Sequence, residues 1–357
     1  MKGLLLAGGH GTRLRPLTFS GNKHMLPIAN EPMLYYGLRH LAEAGIRDVA
    51  IVLGPIREGI EEAIGDGRAF GLSVSYVEQG APRGLAHAVL CARPFLGEDP
   101  FVMYLGDNLL QQGAVPLVRR YAEGNADAVV GVTPVRHPSR YGVVEMDGDR
   151  IVSIVEKPPA PRSDLALTGV YLFSPAIHPI IERLMPSRRG ELEITDAIWS
   201  LHESGGRIAV QRVEGWWKDT GRPEDLLEAN ENVLRHLPAG HFVSAGHVED
   251  GAEIVGPVRI GPGSRIDRSA RIEGPTVVGS DARIEAGARV GPFTAIGDRC
   301  VVRRATVGRS ILLSEVEIDG PLEISDSIIG RAARLHANGA ATVRLSCVLG
   351  DATQLRL

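Results

Sequence analysis

Residues 254–302 read IVGPVRIGPGSRIDRSARIEGPTVVGSDARIEAGARVGPFTAIGDRCVV, with an aliphatic residue at every sixth position. An α-helix of about 3.6 residues per turn would carry that position around its whole circumference, so the period excludes a helix. Three flat faces of about six residues make one coil of a parallel β-helix, with the repeated residue pointing inward at each corner. The period therefore predicts a left-handed parallel β-helix. Traced outward from this stretch, the aliphatic positions are Val248, Ile254, Ile260, Ile266, Ile272, Val278, Ile284, Val290, Ile296 and Val302.

A second, mostly small residue precedes each aliphatic residue by two positions, as expected if both point into a narrow core. A β-sandwich does not account for this spacing, because its strands alternate with a period of about two residues and its turns are irregular. The small positions are Val258, Ser264, Ala270, Thr276, Ala282, Ala288, Thr294, Cys300 and Thr306.

The period becomes irregular after Gly308. The remaining apolar residues are compatible either with further coils that contain an insertion or with a cap on the β-helix. These residues are Ile311, Val316, Ile318, Ile324, Ile328, Val343 and Val348.

The chain before about residue 236 has a different pattern, in which short apolar runs alternate with helix-like segments. This alternation is typical of an α/β fold with a mixed, mostly parallel sheet and crossover helices. Strands are predicted at residues 3–7, 48–53, 72–77, 101–105 and 128–135, and helices at 33–44, 85–92 and 223–236.

The change of pattern divides the chain into segments. An α/β domain is predicted over residues 1–237, a junction over 238–247, where Pro238 and Gly240 lie, and the β-helix over 248–357.

The composition excludes several classes of protein. A net charge of −4 and a pI of about 6.3 give no basic surface for nonspecific nucleic-acid binding. The N-terminal apolar run is too short for a signal peptide or a membrane span, so we expect a cytoplasmic protein without a membrane partner. The cysteines Cys91, Cys300 and Cys347 are odd in number and widely spaced, which predicts reduced thiols and neither a disulfide framework nor a zinc cluster.

A glycine-rich turn, Gly8-Gly9-His10-Gly11-Thr12-Arg13-Leu14, follows the first predicted strand. Such a turn at the end of a strand is where α/β folds bind phosphorylated ligands. Leu14 occupies the place of the third glycine of the dinucleotide motif, and no Gly-Lys-Ser/Thr follows as in a Walker loop. The turn aims backbone N–H groups at an anion, and the cations Arg13 and Lys23 indicate a triphosphate.

The string LLLAGGHGTRLRPLT, followed by NKHMLPIANEPMLYY, resembles the signature of the sugar-nucleotide pyrophosphorylases, and most of all that of long-form glucose-1-phosphate thymidylyltransferases. Further segments resemble the family in the same order: EQGAPRGLAHA, YLGDN, RYGVVE, EKP, TGVYLF, GELEITDAI and WWKDTGRPEDLLEAN. The resemblance implies a Rossmann-like nucleotidyltransferase domain and covers nearly the whole chain. It also implies transfer of a deoxythymidylyl group from dTTP to glucose 1-phosphate, giving dTDP-glucose and pyrophosphate.

The resemblance assigns candidate residues to each part of this reaction. Mg²⁺, which takes carboxylate, phosphate and water oxygens, would be held by Asp107 and Asp219. Arg13 and Lys23 would stabilise the departing pyrophosphate, and Lys157 would position the sugar 1-phosphate, so that Arg13, Lys23, Asp107 and Lys157 form the catalytic set. The nucleotide would contact Gly8, Gly9, Gly11, Thr12, Arg13, Lys23, Gln79, Gly84 and Leu85. The sugar phosphate would contact Asn108, Gly142, Glu156, Lys157, Thr168, Gly169, Val170 and Trp217.

Two positions depart from the family's pattern, because His24 and His87 stand where glutamine is common. They leave UTP open as an alternative to dTTP. A catalytic role for His87 is disfavoured, because it lies in a helix-like segment.

Other functions are weighed against this one. Hexapeptide β-helices often bind acetyl-coenzyme A, and His336 near Asn338 is the histidine well inside the repeat region, so added amino-sugar acetyltransferase activity is an alternative. A non-catalytic regulatory protein is disfavoured by the retained charged residues. A homo-oligomer with contacts through the β-helix is expected.

Overall fold

The structure, a computed structural model, describes residues 1–124 and 126–357. The chain forms two compact units, one made of Met1–His10 and Met33–Asp219 and the other of Gly11–Pro32 and Thr220–Leu357. The units cut across the predicted segments, because residues 11–32 and the last helix pack in the unit of the β-helix. The boundaries drawn from the sequence stay a prediction.

The helices and the first strands follow the predicted alternation closely. The helices are α1 Met33–Glu43, α2 Ile60–Ile64, α3 Leu85–Cys91, α4 Arg93–Leu96, α5 Val115–Ala122, α6 Ile177–Glu182, α7 Ile194–Glu203 and α8 Pro223–His236. The strands up to residue 219 are β1 Lys2–Ala7, β2 Pro27–Ile28, β3 Glu31–Pro32, β4 Asp48–Leu53, β5 Ser73–Glu78, β6 Phe101–Leu105, β7 Asn108–Leu110, β8 Ala128–Pro134, β9 Gly142–Asp147, β10 Arg150–Glu156, β11 Leu165–Phe173, β12 Ile208–Arg212 and β13 Trp217–Asp219.

The first unit is built on a mixed sheet in the order β10-β9-β11-β6-β1-β4-β5, to which β8 and β12 are added beside β11. The strands β6, β1, β4 and β5 run parallel to one another. After Lys2, strand β1 is apolar because both of its faces are covered, and Leu4 and Leu5 are fully buried. The α/β prediction is confirmed.

The registers of the parallel strands bring their carboxyl ends to one edge of the sheet. Ala7 pairs with Leu53, and Leu53 pairs with Glu78. On the other side of β1, Leu6 pairs with Leu105. The residues that follow these strands therefore share one edge, where α/β sheets bind ligands.

The repeat region forms the predicted left-handed parallel β-helix. Its inward positions pair from coil to coil, as in the ladder that passes from Val248 through Ile266 and Ile284 to Val302. The strands are β14 His247–Val248, β15 Glu253–Val255, β16 Val258–Ile260, β17 Arg265–Ile266, β18 Arg271–Glu273, β19 Thr276–Val278, β20 Arg283–Ile284, β21 Arg289–Val290, β22 Thr294–Ile296, β23 Val301–Gly308, β24 Ile311–Leu312, β25 Glu317–Ser325, β26 Ile328–Ile329, β27 Arg334–His336, β28 Val343–Leu345, β29 Val348–Leu349 and β30 Gln354–Arg356.

Two predicted core positions in the repeat are not buried. Ile254 pairs with the buried Ile272 but is itself 38% exposed. Thr306 is exposed, and Ala305 is buried in its place. The inward residues Val302 and Val307 lie five positions apart along β23, so the sixfold spacing ends one residue early and the small position shifts with it.

The irregular region after Gly308 consists of further coils. Strand β24 pairs with β26, and β26 pairs with β29. Strand β25 pairs with β27, which pairs in turn with β30. His336 lies on β27 opposite Asp319 and Arg356, and acyl transfer stays an untested prediction.

One face of the β-helix has apolar residues on its outer side. Val277, Ala295, Ile311 and Ile328 point away from the core of the coils and are nevertheless buried. Helix α8 and residues 11–32 cover this face, which explains why they belong to the second unit.

Asn230 of α8 fixes this covering layer through buried hydrogen bonds. Its Oδ1 accepts from the backbone N–H of Ala29 at 2.9 Å, and its Nδ2 donates to the backbone oxygen of Phe293 at 3.1 Å. The Asn30 side chain adds a bond to the backbone oxygen of Ile296 at 2.6 Å. Both the helix and the N-terminal segment are thereby tied to the coils.

The three cysteines are free thiols, with Cys300 buried. In the described part of the chain, no helix has the length and apolar character needed to cross a membrane.

Replacing Asn230 with alanine should lower the free energy of unfolding by about 1–3 kcal/mol, because two buried backbone groups lose their partners. Asn232→Ala, the same change at a half-buried position of α8, is the matched control and should cost about 0.5 kcal/mol or less. Urea unfolding of the full-length variants measures both values. Equal effects would show that Asn230 does not hold the layer.

Candidate active site

The first turn of the site is shaped by a close approach of two backbones. A Cβ on Gly54, after β4, would lie 3.0 Å from the Cα of Gly8 and 3.1 Å from the N of Gly9. Gly9 has φ 103°, a conformation that glycine adopts without strain. The chain after β1 therefore passes directly against the end of β4.

Gln79 follows β5 at the same edge. Its Nε2 donates to the backbone oxygen of Gly84 at 3.0 Å and lies 3.4 Å from Nδ1 of His87. A Cβ on Gly8 would lie 3.1 Å from the Gln79 Oε1. The amide nitrogen thus donates to the Gly84 carbonyl and lies beside the His87 ring, and Oε1 faces Gly8.

Gly84 lies where two backbone segments cross. Its φ is 106°, and a Cβ there would meet the backbone oxygen of Leu192 at 2.4 Å. Leu192 donates from its N–H to the oxygen of Arg83 and accepts from the N–H of Ala86. The Leu192 carbonyl thereby caps α3, whose first residue is Leu85.

His87 and Cys91 face Gln79 from α3. The Cys91 sulfur lies 3.8 Å from Nε2 and 3.9 Å from Nδ1 of His87. Burial lowers the pKa of His87 below 6.5, and the Arg83 guanidinium acts in the same direction, so the ring is neutral at pH 7. Burial raises the pKa of the Cys91 thiol. His87 therefore supports the Gln79 amide, and the described contacts give it no reacting partner.

A short antiparallel ribbon brings the two predicted metal ligands together. In the pairing of β7 with β13, Asn108 lies directly opposite Asp219. Paired Cα atoms in such a ribbon are about 4.5–5.5 Å apart, and Asp107 immediately precedes Asn108. The backbones of two aspartates that are distant in sequence thus lie close together at the end of β6.

These aspartates fit a magnesium ion. Mg²⁺ is usually held by one or two carboxylates with phosphate and water oxygens completing the coordination. Among the described residues, no cluster of three or more His, Cys, Asp or Glu side chains could hold a metal. A pair of carboxylates matches an ion that is shared with a phosphorylated substrate.

A hydrogen-bonded chain supports the ribbon. The Trp217 indole N–H lies 2.9 Å from both Oδ1 of Asn108 and the backbone oxygen of Thr168. Asn108 in turn donates from Nδ2 to Oδ1 of Asp107 at 3.0 Å and is only 4% exposed. The Tyr141 ring packs edge-on against Trp217, with 5.2 Å between ring centroids.

The predicted sugar residues Thr168, Gly169 and Val170 form an irregularity in β11. Leu167 pairs with Val132 of β8 and Tyr171 with Val130, so three residues stand opposite one. A Cβ on Gly169, which has φ 73°, would lie 2.9 Å from the Asn108 amide. Such a bulge bends the strand and redirects its side chains, as bulges beside active sites commonly do.

Glu156 is the centre of a charged cluster at the end of β10. Its Oε1 lies 3.0 Å from Nζ of Lys157 and 3.3 Å from a guanidinium nitrogen of Arg189. The Thr195 hydroxyl donates to the other oxygen at 3.5 Å. Gly142 pairs with Glu156, and a Cβ on it would strike Thr195 and Leu167. The two cations are about half exposed and available to a phosphate.

Sequence reasoning missed Arg189 and Thr195. Thr195 lies within the GELEITDAI segment, and Arg189 directly precedes it. The basic residue next to this segment was the signal that could have identified Arg189. Arg189 also pairs with Glu191 and Glu193, each at 3.2 Å. Burial raises the pKa of Glu193 and, together with the Glu156 charge, that of Asp196. The loop that caps α3 through Leu192 thus also supplies a cation.

The second unit holds the rest of the glycine-rich turn. Gly11 has φ 59°, and a Cβ there would lie 3.1 Å from Cβ of Lys23. The Thr18 hydroxyl donates to the Gly11 oxygen at 2.8 Å, and a short 3₁₀ turn, Thr12–Leu14, presents Arg13 to solvent. The backbone of Lys23 therefore lies beside the predicted phosphate turn.

His24 is a structural residue of the same segment. It is 1% exposed, and both its backbone N–H and its ring Nδ1 lie 2.8 Å from Oδ1 of Asn22. Asn22 thereby caps the N-terminus of the 3₁₀ turn Lys23–Met25.

Replacing Gly84 with alanine should lower the free energy of unfolding by about 2–4 kcal/mol, because the Cβ would overlap the Leu192 backbone. Gly80→Ala is the matched control, since Gly80 also has positive φ, 64°, but nothing lies within 4 Å of its Cβ position. It should cost about 1 kcal/mol. Thermal or urea unfolding would contradict the crossing if both variants lost the same stability.

Comparison with known proteins agrees with this geometry. The family model described as nucleotidyl transferase matches residues 2–236, and one described as GMPPB C-terminal domain matches residues 272–356. A glucose-1-phosphate thymidylyltransferase of Streptomyces antibioticus is 44% identical over 359 residues, covering 100% of this chain and 99% of that protein.

Two solved structures share the fold. One is a putative glucose-1-phosphate thymidylyltransferase from Bacillus anthracis in complex with a sucrose, with TM-score 0.61 and 37% identity, covering 64% of this chain and 94% of that chain. The other is a UDP-glucose pyrophosphorylase complexed with UDP-glucose, with TM-score 0.58 and 30% identity, covering 66% and 98%. The chain therefore belongs to the nucleotidyl transferase family.

Proposed function

We propose that the chain transfers a deoxythymidylyl group from dTTP to glucose 1-phosphate, giving dTDP-glucose and pyrophosphate. The observation that carries the proposal is the β7–β13 ribbon, which brings the backbones of Asp107 and Asp219 together at the carboxyl edge of the sheet. The chain is also 44% identical over its full length to a glucose-1-phosphate thymidylyltransferase. A phosphate oxygen of the sugar phosphate attacks the α-phosphorus as pyrophosphate leaves in line, so charge neutralisation is the main requirement.

Asp107 and Asp219 would hold Mg²⁺, which would supply positive charge to the phosphate oxygens when bound. The protein's own contribution would be to hold Asp219 on β13, opposite the residue that follows Asp107, before substrate arrives. Arg13 and Lys23 stay the predicted ligands of the triphosphate.

Lys157 and Arg189 would bind the phosphate of the sugar 1-phosphate. Both side chains are held on the Glu156 carboxylate, which keeps two cations close together despite their repulsion. No acid–base residue is needed, because the attacking phosphate oxygen is already anionic.

Gln79 would read the base. With its Nε2 occupied by Gly84 and His87, its Oε1 would accept the N3–H that thymine and uracil share and that cytosine lacks. UTP is therefore the second candidate substrate, and the likeness to a UDP-glucose pyrophosphorylase favours testing it.

The direct experiment is a matrix of nucleoside triphosphates and sugar 1-phosphates with Mg²⁺, followed by pyrophosphate release. We expect dTTP with glucose 1-phosphate to give the highest kcat/KM. Preference for UTP would select the alternative, and no release from any pair would refute the proposal.

Removing one carboxylate should slow the reaction strongly. Asp107→Asn and Asp219→Asn should each lower kcat/KM by at least about 100-fold, since each removes charge stabilisation from the reacting phosphates. Asp149→Asn, at an exposed turn position after β9, is the matched control and should keep wild-type activity. Wild-type rates in Asp107→Asn would place the metal elsewhere.

The support of Gln79 by His87 predicts a pH effect on nucleotide binding. The pKa of His87 is below 6.5, so the ring gains a proton only as the pH falls through that lowered value. The charged ring then turns an N–H toward the Gln79 amide nitrogen, which is itself a donor, with Arg83 and the Cys91 thiol nearby. Because this contact is repulsive, KM for dTTP should rise by about threefold or more. His87→Gln, which accepts a hydrogen bond without titrating, should lose this rise in KM, which a KM profile extended below pH 6.5 measures. Identical profiles would contradict the interpretation.

A further inference from the structure

The last coil of the β-helix, residues 343–357, contacts the N-terminal segment that carries the predicted triphosphate cations. A Cβ on Gly350, at the corner after β29, would lie 3.1 Å from Cβ of Pro16 and 3.4 Å from its backbone oxygen. At the same corner, the Ser20 hydroxyl donates to Oδ2 of Asp351 at 2.5 Å, across 331 positions of sequence. These contacts join the two ends of the chain within one compact unit.

The preceding coil holds this corner in place. The N–H of Ala352 donates to the backbone oxygen of Arg331 at 2.7 Å, and the N–H of Gly330 donates to that of Leu349 at 2.9 Å. Oδ1 of Asp351 accepts from the Arg331 N–H at 2.7 Å. One oxygen of this carboxylate is therefore bound to the neighbouring coil, and the other reaches the N-terminal segment.

The stretch that meets the last coil folds back on the glycine-rich turn. In its middle, the Thr18 hydroxyl donates to the Gly11 oxygen at 2.8 Å, and the Leu17 N–H donates to the Leu14 oxygen at 3.0 Å. Leu14 and Leu17 are buried. Because Arg13 directly precedes Leu14, a displacement of this stretch is transmitted to Arg13.

The far end of the segment has its own anchor on the middle coils. The Arg259 guanidinium donates to the Ala29 oxygen at 3.2 Å, and the Asn30 side chain donates to the Ile296 oxygen at 2.6 Å. Lys23 lies between this anchor and the contact with the last coil. The coils of the β-helix therefore hold the segment on both sides of Lys23.

We propose that the last coil is a positioning element for the nucleotide, in which Gly350 and Asp351 keep Arg13 and Lys23 in place for the triphosphate. The inference rests on the proposed function for the assignment of these two cations to the triphosphate. The coil acts through the segment that it contacts. It therefore affects the binding of dTTP and pyrophosphate and leaves the binding of glucose 1-phosphate unchanged.

The test uses variants at the corner of the last coil in the full chain. Gly350→Val extends a side chain against Pro16, and Asp351→Ala removes the acceptor of the Ser20 hydroxyl. Gly339→Val is the matched control, because the nearest atom to its Cβ position is 3.9 Å away. Neither glycine has a positive φ, so the backbone accepts valine at both positions.

The first readout is the affinity for inorganic pyrophosphate with Mg²⁺, measured by isothermal titration calorimetry. The second is the pair of KM values for dTTP and for glucose 1-phosphate, and unfolding curves show that each variant folds. If Gly350→Val does not fold, Asp351→Ala alone decides the outcome, since it adds no volume.

Gly350→Val should weaken pyrophosphate binding and raise KM for dTTP by about 10-fold or more, because small displacements of positioning groups have large effects. Asp351→Ala should do the same by about two- to fivefold, the effect of one hydrogen bond. KM for glucose 1-phosphate should stay within about twofold of the wild-type value. Gly339→Val should change none of these values.

Asp351→Asn is the conservative variant. Its amide oxygen can accept from the Arg331 N–H, and its nitrogen can donate to the Ser20 hydroxyl, so both bonds are kept with donor and acceptor exchanged at Ser20. It should bind pyrophosphate nearly as the wild type does.

Wild-type affinity for pyrophosphate in both Gly350→Val and Asp351→Ala would overturn the inference. Equal increases in the two KM values would also overturn it, because they would indicate a general loss of structure. Arg13→Ala is the reference: if it binds pyrophosphate as the wild type does, the inference fails. If pyrophosphate binding depends on Arg13 and Gly350 but no substrate pair releases pyrophosphate, the proposed function fails and the positioning role stands.

Discussion

The pairing of β7 with β13 is the constraint on which the site depends. It places Asp219 opposite Asn108, although more than one hundred residues separate the two strands in the chain. The pairing is held by backbone bonds and by the Trp217 indole, both of which exist without ligand. The backbone positions of Asp107 and Asp219 are therefore set before a cation or a phosphate arrives, which reduces the ordering that binding must accomplish.

Close backbone contacts set the remaining geometry. Gly54 lets the ends of β4 and β1 touch, Gly84 lets α3 cross the Leu192 backbone, and Gly169 lets β11 bulge over Asn108. At each place a Cβ would lie about 3 Å or less from a neighbouring atom. The loop that carries Leu192 also carries Arg189, so the cap of α3 and a cation of the Glu156 cluster belong to one segment.

The β-helix solves a different problem. Its coils bury an aliphatic ladder inside and present polar residues on two faces, but the third face is apolar on its outer side as well. Burying that surface requires a cover, which α8 and residues 11–32 provide within the second unit. The segment that contains Arg13 and Lys23 therefore owes its conformation partly to the coils that lie far from it in sequence.

Periodicity and local chemistry determined much of this protein from the sequence. The sixfold aliphatic repeat dictated the β-helix, and the strands at 48–53 and 101–105 and the helix at 223–236 were predicted to the residue. These features depend on side chains near in sequence. The prediction that Thr306 is buried was wrong because Val302 and Val307 lie five positions apart, and the six-residue spacing predicts one residue more.

Tertiary structure alone decided the contacts between distant residues. The sequence pointed to Asn108 and Trp217 as site residues but gave no sign that they bind each other, or that Asn108 bonds Asp107. It likewise did not single out Arg189, whose place beside Glu156 follows from the path of a loop over α3. Such contacts depend on strand register and on the approach of backbones, which local patterns of charge and hydrophobicity do not encode.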